Sequence, residues 1–136
     1  MKSLQDRLKE KEIRPSHHRL KILECLEGRC DHPNVDMLYD CLKEKFPTIS
    51  KTTIYNTLKV FVDKGVVSGL TIAGNELRYD ADITQHAHLM CKSCGRIFDI
   101  KDFKCPNIKS EIAGHKIDEA KLYLMGTCKN CAKRGK

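Results

Sequence analysis

The sequence predicts an α+β chain in two parts, an N-terminal winged helix-turn-helix followed by a small mixed α/β domain with a four-cysteine zinc site. Three observations carry that expectation. Apolar residues recur at helical spacing through the first part, a strand-turn-strand pattern follows, and two CxxC pairs lie in the second part. The expected boundaries are residues 1–80 for the first domain, 81–84 for a hinge and 85–136 for the second domain.

Ser3 with Asp6 reads as a capping box, and Leu4 and Leu8 share one face of a short first helix. Pro15 and Ser16 reset the chain. Leu20, Leu23 and Leu26, with Ile22, form the apolar stripe of a second helix ending at Gly28. Asn34 caps a third, in which Val35, Leu38, Tyr39, Leu42 and Phe46 recur until Pro47 stops it. Ser50 caps a fourth, KTTIYNTLKVFVDKG, with Ile54, Leu58, Phe61 and Val62 inward. The period then changes: residues 66–72 and 76–79 read as strands joined by Ala73-Gly74-Asn75. In the second half, residues 86–90 and 96–100 flank the first CxxC as strands, 106–114 suits a short helix, and 120–127 leads into the second CxxC as a third strand.

The 136 residues carry 25 Lys and Arg against 18 Asp and Glu, a net charge of +7 that suits a polyanionic partner. A hydrophobic content of 40% can build a core, and no stretch approaches the ~18 apolar residues of a membrane span. The charged opening, MKSLQDRLKEKE, has no apolar core followed by a cleavage site, so a cytoplasmic protein with no membrane partner is expected. A disulfide framework is then a poor use of eight cysteines. Cys25, Cys30, Cys41 and Cys105 are scattered, as small core residues are.

On the fourth helix the solvent face carries Lys51, Thr52, Tyr55, Asn56 and Lys59. Lysine suits phosphates, asparagine pairs with adenine, and Thr and Tyr pack on the thymine methyl, so this face is expected to read double-stranded DNA. Arg19 of the second helix is counted with it. An ordinary solvated helix face would look similar; the hairpin, the preceding helices and the positive charge favour DNA.

Cys91, Cys94, Cys128 and Cys131 offer four thiolates to one tetrahedral structural Zn(II). The 33 residues between the pairs require the intervening chain to fold back, and Gly95 falls where a knuckle turn often needs positive φ. A thioredoxin-type redox CxxC is the alternative. His86 and His88 point to the same side of a strand, and Asp99 lies between apolar Phe98 and Ile100, an odd place for an unpaired charge. Asp80 precedes them across a short turn, and His32 opens the third helix.

Together the motifs resemble the ferric uptake regulator superfamily, most closely its peroxide-sensing branch, the PerR repressors. The likeness runs through R-x-S-x-x-R-x-x-I-L at 14–23, HPNVDMLY at 32–39, TTIYNTLKVF at 52–61, RYD at 78–80, HAHLMCKSCG at 86–95 and CKNC at 128–131. The resemblance implies a regulatory metal on His32, Asp80, His86, His88 and Asp99, a structural zinc on the four cysteines, and dimerisation through the C-terminal domain. It further implies a homodimer that binds palindromic, AT-rich operators as a metal-dependent repressor, not an enzyme. Aspartate at 99 and asparagine at 56 favour the peroxide branch, and Gln85 and Ala87 stand where some relatives have ligands of a further site. Three imidazoles and two carboxylates suit Fe(II) or Mn(II). In the peroxide branch the implied oxidation-sensitive residues are His32 and His86. An iron- or zinc-availability sensor with the same ligands remains an alternative, as does a CxxC thiol-disulfide oxidoreductase.

Overall fold

A computed structural model describes residues 2–103 and 107–135. The chain divides into two compact units, Met1–Ile83 and Thr84–Lys136.

In the first unit the helices are α1 (Leu4–Glu10), α2 (His17–Glu27), α3 (Val35–Leu42) and α4 (Lys51–Asp63). Each starts on a short polar side chain that accepts from the backbone N–H three residues on: Ser3 from Asp6, Ser16 from Arg19, Asn34 from Met37, Ser50 from Thr53. These bonds satisfy N–H groups that a helix start otherwise leaves open. Their inner faces meet in one core, where Leu8, Ile22, Leu23, Leu38, Ile54, Leu58 and Phe61 are all fully buried. Asn34 also donates through Nδ2 to Glu76 Oε1 at 2.6 Å, tying α3 to the hairpin loop. Asn34→Ala removes both bonds, and thermal or denaturant unfolding should show about 1–2 kcal/mol less stability.

The α3 helix is shorter than its apolar spacing predicts, ending at Leu42 instead of running to Phe46. Pro47 disfavours helical backbone at residue 46. The chain turns instead, and the amide of Phe46 returns to the carbonyl of Leu42 at 2.9 Å while its ring packs on the core. The hairpin is also trimmed, to β1 (Ser68–Leu70) and β2 (Arg78–Asp80), paired antiparallel with Ser68 opposite Asp80. Val66 and Val67 are not strand, because both amides turn back to the Phe61 carbonyl and close the end of α4. Thr57, unremarked in the sequence, is buried beside the apolar face of α4.

In the second unit β3 (Ala87–Cys91) is central, antiparallel to β4 (Ile97–Ile100) and parallel to β7 (Tyr123–Gly126). The expected helix over 106–114 is not formed over residues 107–114; residue 106 lies outside the described residues. A small hairpin stands there, β5 (Glu111–Ile112) paired with β6 (His115–Lys116). Ala113 and Gly114 between them have φ of 53° and 82°, the two left-handed residues of a tight hairpin turn. Gly114 is what makes that turn accessible, and a helix cannot run through it. A short helix that the sequence does not announce, α5 (Lys129–Lys133), follows β7. Among the described residues no helix is long and apolar enough to cross a membrane.

Candidate metal centres and the DNA-facing helix

The four-cysteine cluster lies within the second unit. Cys91 ends β3 and Cys94 lies in the tight turn that follows, closed by the Gly95 amide on the Cys91 carbonyl, where Gly95 has φ of 76°, a conformation that other residues adopt only with strain. The parallel register sets Cys91 opposite Gly126, which delivers Cys128 to the N-terminus of α5 and Cys131 one turn later. The four sulfurs lie within 4.8 Å of one another. Cys91, Cys128 and Cys131 are buried and pack against Phe98.

Backbone N–H groups point at the sulfurs: Cys94 and Cys128 donate to Cys91 Sγ at 3.5 and 3.3 Å, and Cys131 donates to Cys128 Sγ at 3.5 Å. The Cys128 and Cys94 amides pull the Cys91 thiol down to about 6. Cys131 is pushed the other way, to about 12, chiefly by the Cys128 sulfur beside it and then by burial. The Cys91 thiolate is welcomed by amide dipoles, whereas the Cys131 thiol keeps its proton because it donates to the neighbouring sulfurs, is buried, and would be repelled by the Cys128 sulfur once ionised. A divalent cation removes that conflict, and a closed four-sulfur set is what Zn(II) prefers.

The remaining predicted ligands fall into one cluster in each unit. In the first, His32 and Asp80 are 2% and 6% exposed, with His32 Nδ1 3.6 Å from Asp80 Oδ2. Local backbone geometry makes the pair. His32 has φ of 50°, a left-handed conformation that costs roughly 1 kcal/mol or more for a residue with a Cβ. Arg78 of β2 holds it there, donating through Nε to the His32 carbonyl at 2.5 Å and through Nη2 to the Asp31 carbonyl at 3.2 Å. The Tyr79 amide adds a bond to the Pro33 carbonyl at 3.0 Å, so β2 is laced to residues 31–33. Asp80 is steadied by the Asp82 amide at 2.9 Å.

Arg29 completes the corner with a two-pronged pair to Asp31, at 2.9 and 2.7 Å. Its guanidinium holds the Asp31 carboxyl below the usual aspartate range. A carboxyl lowered on folding stabilises the protein above its unfolded pKa, and that contribution disappears as pH falls through the lower, folded value. The first unit should therefore lose stability below about pH 4 through Asp31, by less than about 1 kcal/mol because the pair is half exposed. Comparing acid unfolding of the wild type with Asp31→Asn checks this.

In the second unit the β3–β4 register sets His88 opposite Asp99. His86 Nε2 and His88 Nε2 approach the same Asp99 Oδ1, at 3.1 and 3.4 Å, with the two ring centroids 4.4 Å apart. His86 lies just before β3, yet its ring joins the side on which His88 projects. His86 Nδ1 lies 2.7 Å from the Thr84 carbonyl, which can only accept, so Nδ1 carries the proton. In the neutral ring, Nε2 is then a lone pair aimed at a carboxylate oxygen. Two acceptors 3.1 Å apart repel unless a proton or a metal cation stands between them. Anchoring of the second ring nitrogen by a carbonyl is the usual support of a ligating histidine. Thr84 and Arg78 are the orienting residues that site prediction passed over: the first acts through its backbone, which carries no side-chain signal, and the second stood inside RYD with no assigned role.

On α4, Lys51, Thr52, Tyr55, Asn56 and Lys59 are positioned opposite buried Ile54, Leu58 and Phe61, and Lys51, Thr52, Tyr55 and Asn56 are not part of the core. Lys51 is engaged locally: Nζ lies 3.0 Å from Asp36 Oδ1 and 5.3 Å from the Tyr39 ring centroid. Exposed pairs of this kind are weak and yield to a phosphate. Arg19 donates to the Arg14 carbonyl at 2.9 Å.

Comparison with known proteins agrees with both units. The chain is 34% identical to the peroxide operon regulator of Bacillus subtilis over 140 aligned residues, 98% of this chain and 94% of the relative. Its fold matches the ferric uptake regulator of Vibrio cholerae with a TM-score of 0.70 at 26% identity, covering 93% of this chain and all of that one. It matches the peroxide-sensing gene regulator PerR of Streptococcus pyogenes with a TM-score of 0.54 at 32% identity, covering 94% and 90%. The profile of the ferric uptake regulator family spans residues 10–125, and the chain belongs to that family.

Proposed function

We propose that this chain is a metal-dependent, peroxide-responsive transcriptional repressor acting in the cytoplasm as a homodimer on palindromic, AT-rich double-stranded DNA. In this reading Cys91, Cys94, Cys128 and Cys131 hold a structural Zn(II). His32, Asp80, His86, His88 and Asp99 hold a regulatory Fe(II) or Mn(II). The observation that carries the reading is the convergence of His86 Nε2 and His88 Nε2 on one carboxylate oxygen, in a chain whose relatives include peroxide regulators.

The two sites differ in what their donors permit. Four thiolates clamp, whereas imidazole and carboxylate donors exchange and suit harder ions. His32 and Asp80 belong to the first unit and the other three ligands to the second, so ligation by all five ties the units together. That fixes the spacing of two α4 helices in a dimer at adjacent half-sites. Fe(II), when bound, supplies the reaction with hydrogen peroxide. His32 and His86 are the imidazoles we assign to oxidation, and an oxidised ring loses its ligating lone pair and its hold on Asp80 or Asp99. Repression is then relieved.

The test is an anaerobic operator-binding assay on the Fe and Mn forms, followed by peroxide. The Fe form alone should release DNA and gain about 16 Da, one oxygen, on a peptide containing His32 or His86. Release that tracks zinc loss with unmodified histidines would make the sulfur cluster the sensor instead. Persistent binding by the oxidised Fe form would favour a metal-availability sensor, a reading encouraged by the likeness to the Vibrio cholerae regulator. On the DNA face, Lys59→Ala should weaken all sequences alike and lower the salt slope by about one. Asn56→Ala should cost about 1–3 kcal/mol and relax the preference at one base pair.

A further inference from the structure

Two of the scattered cysteines are not scattered in space. Cys25 on α2 and Cys41 on α3, sixteen positions apart in the chain, face each other with their sulfurs 2.9 Å apart. We propose that Cys25 and Cys41 form a reversible dithiol–disulfide site that joins α2 to α3 when an oxidant of the peroxide class reaches it. The pair works independently of the regulatory metal and its ligands.

Geometry and access both favour the bond. A disulfide needs the sulfurs at about 2.05 Å, a small further approach that rotation about the two Cα–Cβ bonds can supply. Cys41 is exposed and meets solvent, whereas Cys25 is half-buried behind it. Burial and the neighbouring Cys41 thiol push Cys25 up to about 12, with the Arg29 guanidinium pulling it partly back. Cys41 is therefore the thiol that meets the oxidant, and Cys25 the one that resolves it.

In the first step the Cys41 thiolate takes one oxygen of hydrogen peroxide, the O–O bond breaks, and hydroxide leaves to become water. In the second the Cys25 sulfur attacks the Cys41 sulfenic acid. The sulfenic oxygen departs with the Cys25 proton as a second water. Two thiols have lost two electrons and the peroxide has gained them. A dithiol reductant reverses the bond by exchange and becomes a disulfide itself.

The pair escapes the usual account of packing cysteines because each lies beside a core position, not in one. Leu23 and Leu26 bracket Cys25 on the buried side of α2, and Leu42 follows Cys41 on α3. Cys25 packs against the edge of that core, so a bridge here spans the two helices that precede α4 at the rim of their packing. It differs from the zinc cluster, whose four sulfurs sit in the other unit.

The experiment uses the full-length, zinc-loaded, iron-free protein, so that histidine oxidation does not run. After peroxide treatment, free thiols are blocked by alkylation and the protein is digested with trypsin. Peptides 22–29 and 30–43 should be found joined, with one alkyl group on Cys30 and otherwise about 2 Da below the sum of their reduced masses, while the undigested oxidised protein keeps its zinc. Dithiothreitol should separate them. Because 30–43 also contains Cys30, the bridge must persist in Cys30→Ser and vanish in Cys25→Ser and in Cys41→Ser, each checked for zinc content and helical circular dichroism. Unchanged alkylation of both thiols, a Cys41 that stops at sulfinic acid, or a bridge through Cys30 overturns the proposal, and the wild-type and Cys30→Ser results decide it even if a single-cysteine variant fails to fold.

Discussion

Cys131→Ser should strip the second unit of its zinc and unfold that unit, while the helices of the first stay intact. Cys131 is 5% exposed, its amide donates to Cys128 Sγ, and its thiol lies among three other sulfurs. A serine hydroxyl does not ionise in that position, so the set drops to three thiolates. Structural zinc supplies on the order of 10–16 kcal/mol to small domains at neutral pH, far more than this unit can recover elsewhere. Among the described residues, the buried cluster around the site consists of Cys91, Cys128 and Cys131, with Phe98 against it, so the sulfurs themselves form the centre of that packing. Elemental analysis after mild chelation, with circular dichroism and near-native fingerprints of the helical unit, reads the outcome. A variant that keeps its zinc through chelation, with the β-sheet intact, would show that three sulfurs suffice.

Asp99→Ala should abolish metal-dependent operator binding without loss of fold or zinc. Both Nε2 atoms of His86 and His88 converge on Asp99 Oδ1, so one side chain supplies the negative charge of this cluster. Its removal takes from the proposed ligand set the carboxylate that both imidazoles approach, and with it one negative charge that offsets the cation. Affinity for Mn(II) should fall roughly 100-fold or more, since even changes to residues behind the ligands cost 10–100-fold. Asp118→Ala, which removes only an exposed partner of Lys116, should change nothing and serves as the control. Isothermal titration with Mn(II) and a fluorescence operator assay measure the two effects. Operator binding by Asp99→Ala at wild-type Mn(II) concentrations would remove Asp99 from the ligand set.

What could be read from the sequence was local, or had a spacing that only one geometry satisfies. Ser3, Ser16, Asn34 and Ser50 announce four helix starts because a cap bonds three residues ahead, within the reach of a motif. The CxxC pairs and the His86–His88 spacing are legible for the same reason. Harder features depend on competition or on tertiary packing. Leu42 to Phe46 keeps a helical apolar rhythm, but Pro47 disfavours helical backbone at residue 46, and only the single turn closed by the Phe46 amide on the Leu42 carbonyl remains beyond α3. Residues 107–114 carry no period strong enough to choose between a helix and a hairpin, and the Ala113-Gly114 turn settles it. The Cys25–Cys41 apposition exists only once α2 lies against α3.

The central strand β3 gives the second unit an order of dependence between its two sites. Cys91 terminates this strand and His88 sits inside it, three residues away and paired across to Asp99. Side chains alternate along a strand, so a one-residue slip of β3 against β4 would turn His88 to the opposite surface and separate it from Asp99. The sulfur knot at Cys91 forbids that slip from one end. In the proposed reading, a zinc held by the four cysteines would pin that register from the Cys91 end, while the metal of the histidine–aspartate cluster comes and goes. The alignment of one strand would then be set by one site and read by the other.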